Sequence, residues 1–250
     1  LSTKDCENVS NALKEEIPSM KNKITFYHAK LTPDSERERR QREWSMGKCK
    51  VIVATIAFGM GINKPDVRYV IHHSLPKSLD GFSQESGRAG RDGHISESMI
   101  YYSFKDAQKL RSMIYKSSDE RGRSTANTEN TKRSLDHLSK CIHFCDNEVD
   151  CRRKLLLNYF GEDFDTSLCQ GTCDNCRSGN HYIEEDVTED ALKIINFMQG
   201  VQDNLTLNKL TQIFTGSKAK DVAKYSGYGS TLSTHKKNIE RLLQLMIMED

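Results

Sequence analysis

Short β-type apolar runs that alternate with helical periods set the strongest limit on what residues 1–116 can become. The runs are Ile24–His28, Val51–Ala54, Val67–Ile71 and Ser98–Tyr102. Among them, Lys4–Glu16 places Cys6, Val9, Ala12 and Leu13 on one face of a helix. Thr32 is expected to cap a helix with Pro33 in its first position, running through the charged stretch Ser35–Met46. Helices are also expected around Leu79–Ala89 and over Asp106–Lys116. Strands separated by helices are joined by crossovers rather than hairpins, and such crossovers build a parallel sheet. The unbroken β-branched runs at Val51 and Val67 predict strands covered on both faces. Residues 1–116 therefore read as one α/β domain.

The pattern changes after Lys116. Ser117–Thr131 contains no Val, Leu, Ile, Met or aromatic residue and reads as a linker. Helical stretches over Lys132–Cys145 and Cys151–Phe160 follow, then a loop rich in Gly, Asp, Asn and Cys, so that residues 117–177 form a second region. After another linker, Ser178–Asp186, three helical patterns occupy Thr188–Gln199, Leu207–Phe214 and Leu232–Met248. With the turn Gly227-Tyr228-Gly229 they predict a helix-turn-helix or winged-helix module over residues 187–250. The hairpin wing of such a module would lie beyond Asp250. The chain starts at Leu1 rather than Met and reads as a piece of something longer.

Composition excludes some classes. The longest apolar run, Val51–Ile62, falls short of the roughly 20 residues a membrane helix needs, and no secretory leader pattern precedes it. A net charge of +2 is too mild to argue for nucleic acid unaided. Six of the eight cysteines fall between Cys141 and Cys176, and in a chain without a leader that clustering points to a metal. Cys6 and Cys49 sit in apolar periodic stretches and read as small core residues.

Cys151, Cys169, Cys173 and Cys176 have the spacing C-x17-C-x3-C-x2-C. The close pair suits a tight turn that offers two thiolates to one ion. Cys151 opens a helix, whose positive end favours a thiolate. Four sulfurs make a closed tetrahedral Zn2+ site with no position for water, which is structural rather than catalytic. A disulfide pair or an unmetallated cluster is the alternative. Cys141 and Cys145, four apart on a helix, are explained equally well by an apolar face.

The most informative segment is Gln84-Glu85-Ser86-Gly87-Arg88-Ala89-Gly90-Arg91-Asp92-Gly93. Two arginines three apart on one helix turn face the same way. A fixed guanidinium is what a phosphoryl group in transfer needs, because its charge gains value as the transition state forms. The segment follows a strand and the stretch Ala54-Thr55-Ile56-Ala57-Phe58-Gly59-Met60-Gly61-Ile62-Asn63-Lys64-Pro65.

These two blocks resemble motifs V and VI of superfamily-two helicases. Tyr27-His28-Ala29, Cys151-Arg152-Arg153 and Asn158-Tyr159-Phe160-Gly161-Glu162 narrow the resemblance to the RecQ helicases. Asp186-Val187-Thr188 and Gly216-Ser217-Lys218 are similar to the winged helix of the Bloom-type branch. The resemblance implies a second RecA-like lobe, a zinc-binding subdomain and the start of a winged helix. It implies the C-terminal part of an ATP-dependent, 3′-to-5′ DNA helicase of recombination, replication and repair, located in the nucleus, with single- and double-stranded DNA as partners. The arginine finger falls on Arg91, with Arg88 and Gln84 beside it, reaching toward ATP and Mg2+ held mostly by an absent first RecA-like lobe. Contacts to a single-strand backbone fall on Ser2, His28, Thr55 and Lys77. In the winged helix, Ser217, Lys218, Lys220 and Ser230 suit duplex phosphates. Asn63 stands where the family usually has Asp, so it is not counted as an ATP residue. No G-x-x-x-x-G-K-[ST] phosphate loop and no acidic metal motif occurs in the chain, so the chain alone is expected to be inactive. The rival reading is a non-catalytic zinc and winged-helix regulator that binds nucleic acid.

Overall fold

The computed structural model describes residues 2–59, 64–119, 129–179, 182–219, 221–229, 232 and 238–248. Two compact units divide the chain, Leu1–Asp146 and Asn147–Asp250.

In the first unit, helix α1 (Thr3–Glu16) starts from a reciprocal cap. Ser2 Oγ accepts from Asp5 N, and the Asp5 carboxylate accepts from Ser2 N at 2.9 Å. The cap's hydrogen bonds hold the Asp5 carboxyl below the usual carboxylate range. Strand β1 (Ile24–Tyr27) pairs parallel with β2 (Val51–Ala54), from Ile24↔Val51 to Tyr27↔Ala54. Cys6 on α1 is fully buried and donates its thiol to the Val53 carbonyl at 2.9 Å, so it is a core residue as expected. Cys49 is buried as well, and desolvation pushes both thiols up. Helix α2 (Asp34–Ser45) lays the Arg40 guanidinium 4.0 Å over the Phe26 ring. Its start differs from expectation by one residue. Pro33 itself is the N-cap, with extended backbone, and Thr32 does not cap; Asp34 and Glu36 complement the dipole in the first turn.

Strand β3 (Tyr69–His72) pairs parallel with β4 (Glu97–Ile100), with helix α3 (Leu79–Ser86) between them in sequence. Every pairing is parallel, as the alternation requires. The described strands nevertheless form two two-stranded ladders, β1–β2 and β3–β4, rather than one hydrogen-bonded sheet. Nor is β3 covered on both faces. Tyr69 is 62% and Ile71 54% exposed, because α3 packs only against the opposite face, where the Phe82 ring meets His72 at 5.1 Å. Helices α4 (Phe104–Asp119) and α5 (Glu129–Asp146) pack together, and the Phe144 ring of α5 meets Phe82 of α3 at a tilt, with centroids 5.6 Å apart.

The second unit opens with α6 (Arg152–Tyr159) and α7 (Asp174–Ser178), followed by α8 (Thr188–Gly200), α9 (Leu207–Phe214) and α10 (Ile239–Met248). The last three close around Ile194, Phe197, Leu210, Ile213, Ile239 and Leu243. Thr206 caps α9 by accepting from Lys209 N. The glycine turn is part of this core. A Cβ at Gly227 would stand 2.7 Å from Phe197 Cδ2, and that ring is already wedged edge-on against Phe214 and Tyr225. Gly227→Ala is therefore expected to destabilise this three-helix unit by about 1–3 kcal/mol through overpacking. Urea denaturation followed by tyrosine fluorescence checks it; an unchanged midpoint would mean that the ring yields freely.

Candidate metal centre and arginine loop

The metal centre is assembled from chain reversals rather than from an apolar core. Cys151 is the N-cap of α6. Ahead of it, Asn147 Oδ1 accepts from the backbone of Val149 and Asp150, at 2.9 and 2.7 Å. Cys169 ends a short 3₁₀ turn, Thr166–Cys169, which Asp165 caps through Ser167 N. Gln170 (φ 50) and Gly171 (φ 67) then take two left-handed steps in succession, which turn the chain back on itself. Cys173 becomes the N-cap of α7, and its Sγ accepts from Cys176 N at 3.4 Å.

The four Sγ atoms lie within 4.8 Å of one another, and Cys151 and Cys173 are 4.0 Å apart. Zn–S bonds of about 2.3 Å require a tetrahedron with edges of about 3.8 Å, so a small contraction seats the ion. Four soft sulfur donors with no carboxylate or water position fit zinc in a structural role. Thr172 Oγ1, 3.4 Å from Cys169 Sγ, draws that thiol down to about 6, while hydrogen bonding to Cys173 pushes Cys176 up to about 12. Among the described residues this is the sole group of three or more ligating side chains so close. Cys141 and Cys145 on α5 stand outside it, and burial pushes the Cys141 thiol up to about 12.

Two supports of this centre are pairings that the sequence does not announce. Arg152 makes a fork to Asp174, Nε to Oδ1 and Nη2 to Oδ2 at 3.0 Å each, tying the first residue of α6 to the first of α7. Asn175 Nδ2 donates to the carbonyls of Asn147 and Asp150, at 2.9 and 2.8 Å. Both join the Cys173–Cys176 turn to the segment around Cys151 across more than twenty residues of chain. Their residue types are ordinary in loops, so only the folded geometry reveals them.

In the first unit the arginine segment is a loop rather than a helix turn. Helix α3 stops at Ser86, and the backbone continues in turns, with Arg88 N donating to Glu85 O and Gly90 N to Val67 O. Gly90 has φ +67, and a Cβ there would come within 2.4 Å of Ser96 Oγ, so the position needs glycine. Gln84 and Arg91 are exposed and Arg88 is half-buried. Arg91 Nε donates to Gly87 O at 3.4 Å.

The backbone-contact candidates fall at strand carboxyl ends and helix starts. Ser2 caps α1, Thr55 follows β2 and donates its N–H to Tyr27 O, and exposed Lys77 precedes α3. This edge is where parallel α/β sheets present ligands. His28, which follows β1, departs from expectation. Its ring is 3% exposed and Nε2 is held by Glu7 Oε1 at 2.9 Å, so the side chain is turned inward. In the second unit Lys218 is exposed and Ser217 half-buried beside the end of α9. Lys220, Ser230 and Asn63 lie outside the described residues.

Comparison with known proteins follows these elements along the chain. Residues 2–93 match the helicase conserved C-terminal domain, 104–177 the RecQ zinc-binding domain and 181–250 the RQC domain. The ATP-dependent helicase SGS1 of Saccharomyces cerevisiae is 40% identical over 96% of this chain and 16% of its own length. The RecQ-like DNA helicase BLM of Xenopus laevis is 41% identical over 100% of this chain and 19% of its own. The chain thus spans less than a fifth of either relative. The Escherichia coli DEAD-box protein SrmB, solved with RraA, aligns at a TM-score of 0.33 and 22% identity over 41% of this chain and 60% of that one, too loosely to argue from. A helicase-type parallel α/β lobe therefore precedes a four-thiolate metal module and an RQC domain. The chain belongs to the RecQ helicase family.

Proposed function

We propose that this chain is the C-terminal part of an ATP-dependent DNA helicase that moves 3′ to 5′ along single-stranded DNA and separates the duplex ahead of it. The observation that carries this reading is the arginine loop on a parallel α/β lobe, in one chain with a four-thiolate module and an RQC domain. A pure binding module has no use for such a loop, which argues against a regulator.

ATP and Mg2+ would be held by a first RecA-like lobe, and this chain's part is to supply positive charge from Arg91, with Arg88 and Gln84 beside it. The bound nucleotide supplies the phosphoryl-transfer energy that opens and closes the lobes. Ser2, Thr55 and Lys77 grip the single-strand backbone without reading bases. The buried His28 ring is left to brace Glu7, so any role it has at the DNA is through its backbone. Ser217 and Lys218, with Lys220 and Ser230, meet duplex phosphates. The zinc is structural, and the setting is nuclear DNA repair and recombination, a reading supported by eukaryotic relatives that are named as DNA helicases.

Two measurements test this. The full-length protein should hydrolyse ATP in response to single-stranded DNA, whereas this chain alone should not, since it contains no phosphate loop. DNA-stimulated hydrolysis by the isolated chain would reveal a nucleotide site of a different kind. The isolated chain should still bind DNA weakly and with steep salt dependence. Lys218→Ala is expected to weaken binding about equally for unrelated sequences and to make the salt slope shallower by about one unit. Strong, salt-insensitive preference for one duplex sequence would favour the regulator.

A further inference from the structure

Arg68 precedes β3, and its guanidinium collects four acceptors. Nε donates to Asp66 O at 3.2 Å, Nη1 to Ile95 O at 3.2 Å, and Nη2 both to Pro65 O at 3.3 Å and to the Asp92 carboxylate. Of these, Pro65 ends the segment that resembles motif V and Asp66 follows it directly. The other two, Asp92 and Ile95, lie in the loop that carries Arg91. Asp92 uses its second oxygen to accept from His94 N at 3.1 Å, and the Arg68 guanidinium holds the Asp92 carboxyl below the usual range. On the other side of Arg91, Gly90 N donates to Val67 O at 2.9 Å, next to Arg68 in the chain. The chain is therefore tied to Val67-Arg68 on both sides of Arg91, by the Gly90 backbone before it and by the Asp92 side chain after it.

A loop of this kind needs such pins. Residues 87–95 form no helix or strand, and Arg91 to Ile95 are exposed, so no apolar packing fixes their path. One planar fork that satisfies three carbonyls and a carboxylate holds two segments in register, which a lysine cannot do.

We propose that Arg68 is a positioning residue for Arg91: by stapling Pro65-Asp66 to Asp92 and Ile95 it fixes the backbone from which the Arg91 guanidinium is presented to the transferring phosphoryl group. This rests on the reading of Arg91 as the finger residue. Misplacing a reacting group by an ångström costs about 10²-fold in rate, so Arg68→Ala should lower kcat for DNA-stimulated ATP hydrolysis by about 10–100-fold. The KM for ATP should stay nearly unchanged, because the loop's charge matters in the transition state. Arg68→Lys should recover only part of the loss, and Asp92→Asn should cause a smaller one.

The test is a double-mutant cycle in the full-length protein, with Arg91→Ala, Arg68→Ala and the pair, and with Asp92→Asn as a milder probe at an exposed site. If Arg68 acts through Arg91, the double variant turns over no more slowly than Arg91→Ala alone. A further drop in the double variant, or a loss that lies in KM, would show a general structural role and overturn the proposal. Wild-type kcat in both Arg68→Ala and Asp92→Asn, beside a crippled Arg91→Ala, overturns this proposal alone. Wild-type kcat in Arg91→Ala overturns the finger assignment and this proposal with it.

Discussion

Arg91→Ala is expected to cut DNA-stimulated ATP turnover of the full-length protein by about 10³–10⁵, the usual worth of an arginine finger. Binding of ATP should weaken far less. A guanidinium aimed at a transferring phosphoryl group stabilises charge that spreads over the phosphate oxygens only as the bonds loosen. The geometry fits that role, because Arg91 is exposed, on a loop tied to Val67-Arg68 by the Gly90 backbone on one side and the Asp92 side chain on the other. Arg91→Lys should recover little, since a point charge on a flexible stem does not reproduce the planar fork. Steady-state turnover, read beside an equilibrium measurement of nucleotide affinity, separates the two effects. Near wild-type turnover would make Arg91 a surface residue.

The parallel α/β character of the first region was legible because alternating periods leave few topologies, and both ladders are parallel. The ladder division was not. Whether two parallel strands are neighbours depends on packing across the whole domain, and Val51–Ala54 and Val67–Ile71 look alike as sequences. The bare face of β3 escaped for the same reason: Tyr69 and Ile71 are apolar whether or not a helix covers them. Helix ends were legible only to within one to three residues, as at Pro33 and at Ser86, where α3 gives way at Gly87 to the loop that carries both arginines. In the metal centre the four cysteines were legible from spacing, because metal ligation restricts both residue type and distance. The pairings of Arg152 with Asp174 and of Asn175 with the Asn147 carbonyl were not, since the partners lie more than twenty residues apart and nothing local announces them. The burial of His28 was hidden in the same manner, its partner Glu7 being one polar residue among several on α1.

The zinc centre should behave as the core of its own module. Between Asn147 and Ser178, the buried side chains among the described residues are Cys151 and Cys169, two of the ligands themselves. Helix α6 buries nothing fully, and α7 is five residues long. Without metal, what remains is the Arg152–Asp174 fork, the Asn147 and Asn175 amides and a few turn bonds, each worth only about 0.5–3 kcal/mol. Apparent binding energies of about 10–16 kcal/mol for structural zinc exceed their combined effect, so metal binding here is folding energy. Cys173→Ser should therefore release the zinc and unfold this module, while α8–α10 keep their own apolar core and stay folded. Acidification should act in the same direction, because every ligand must be a thiolate and protons compete with the ion for it. Metal analysis should find one zinc per chain in the wild type, and hydrogen exchange should show protection lost over residues 147–178 but retained over 188–214 in the variant. Folded wild-type protein without zinc, or full zinc content in a Cys169/Cys173/Cys176→Ser triple variant, would sink the assignment.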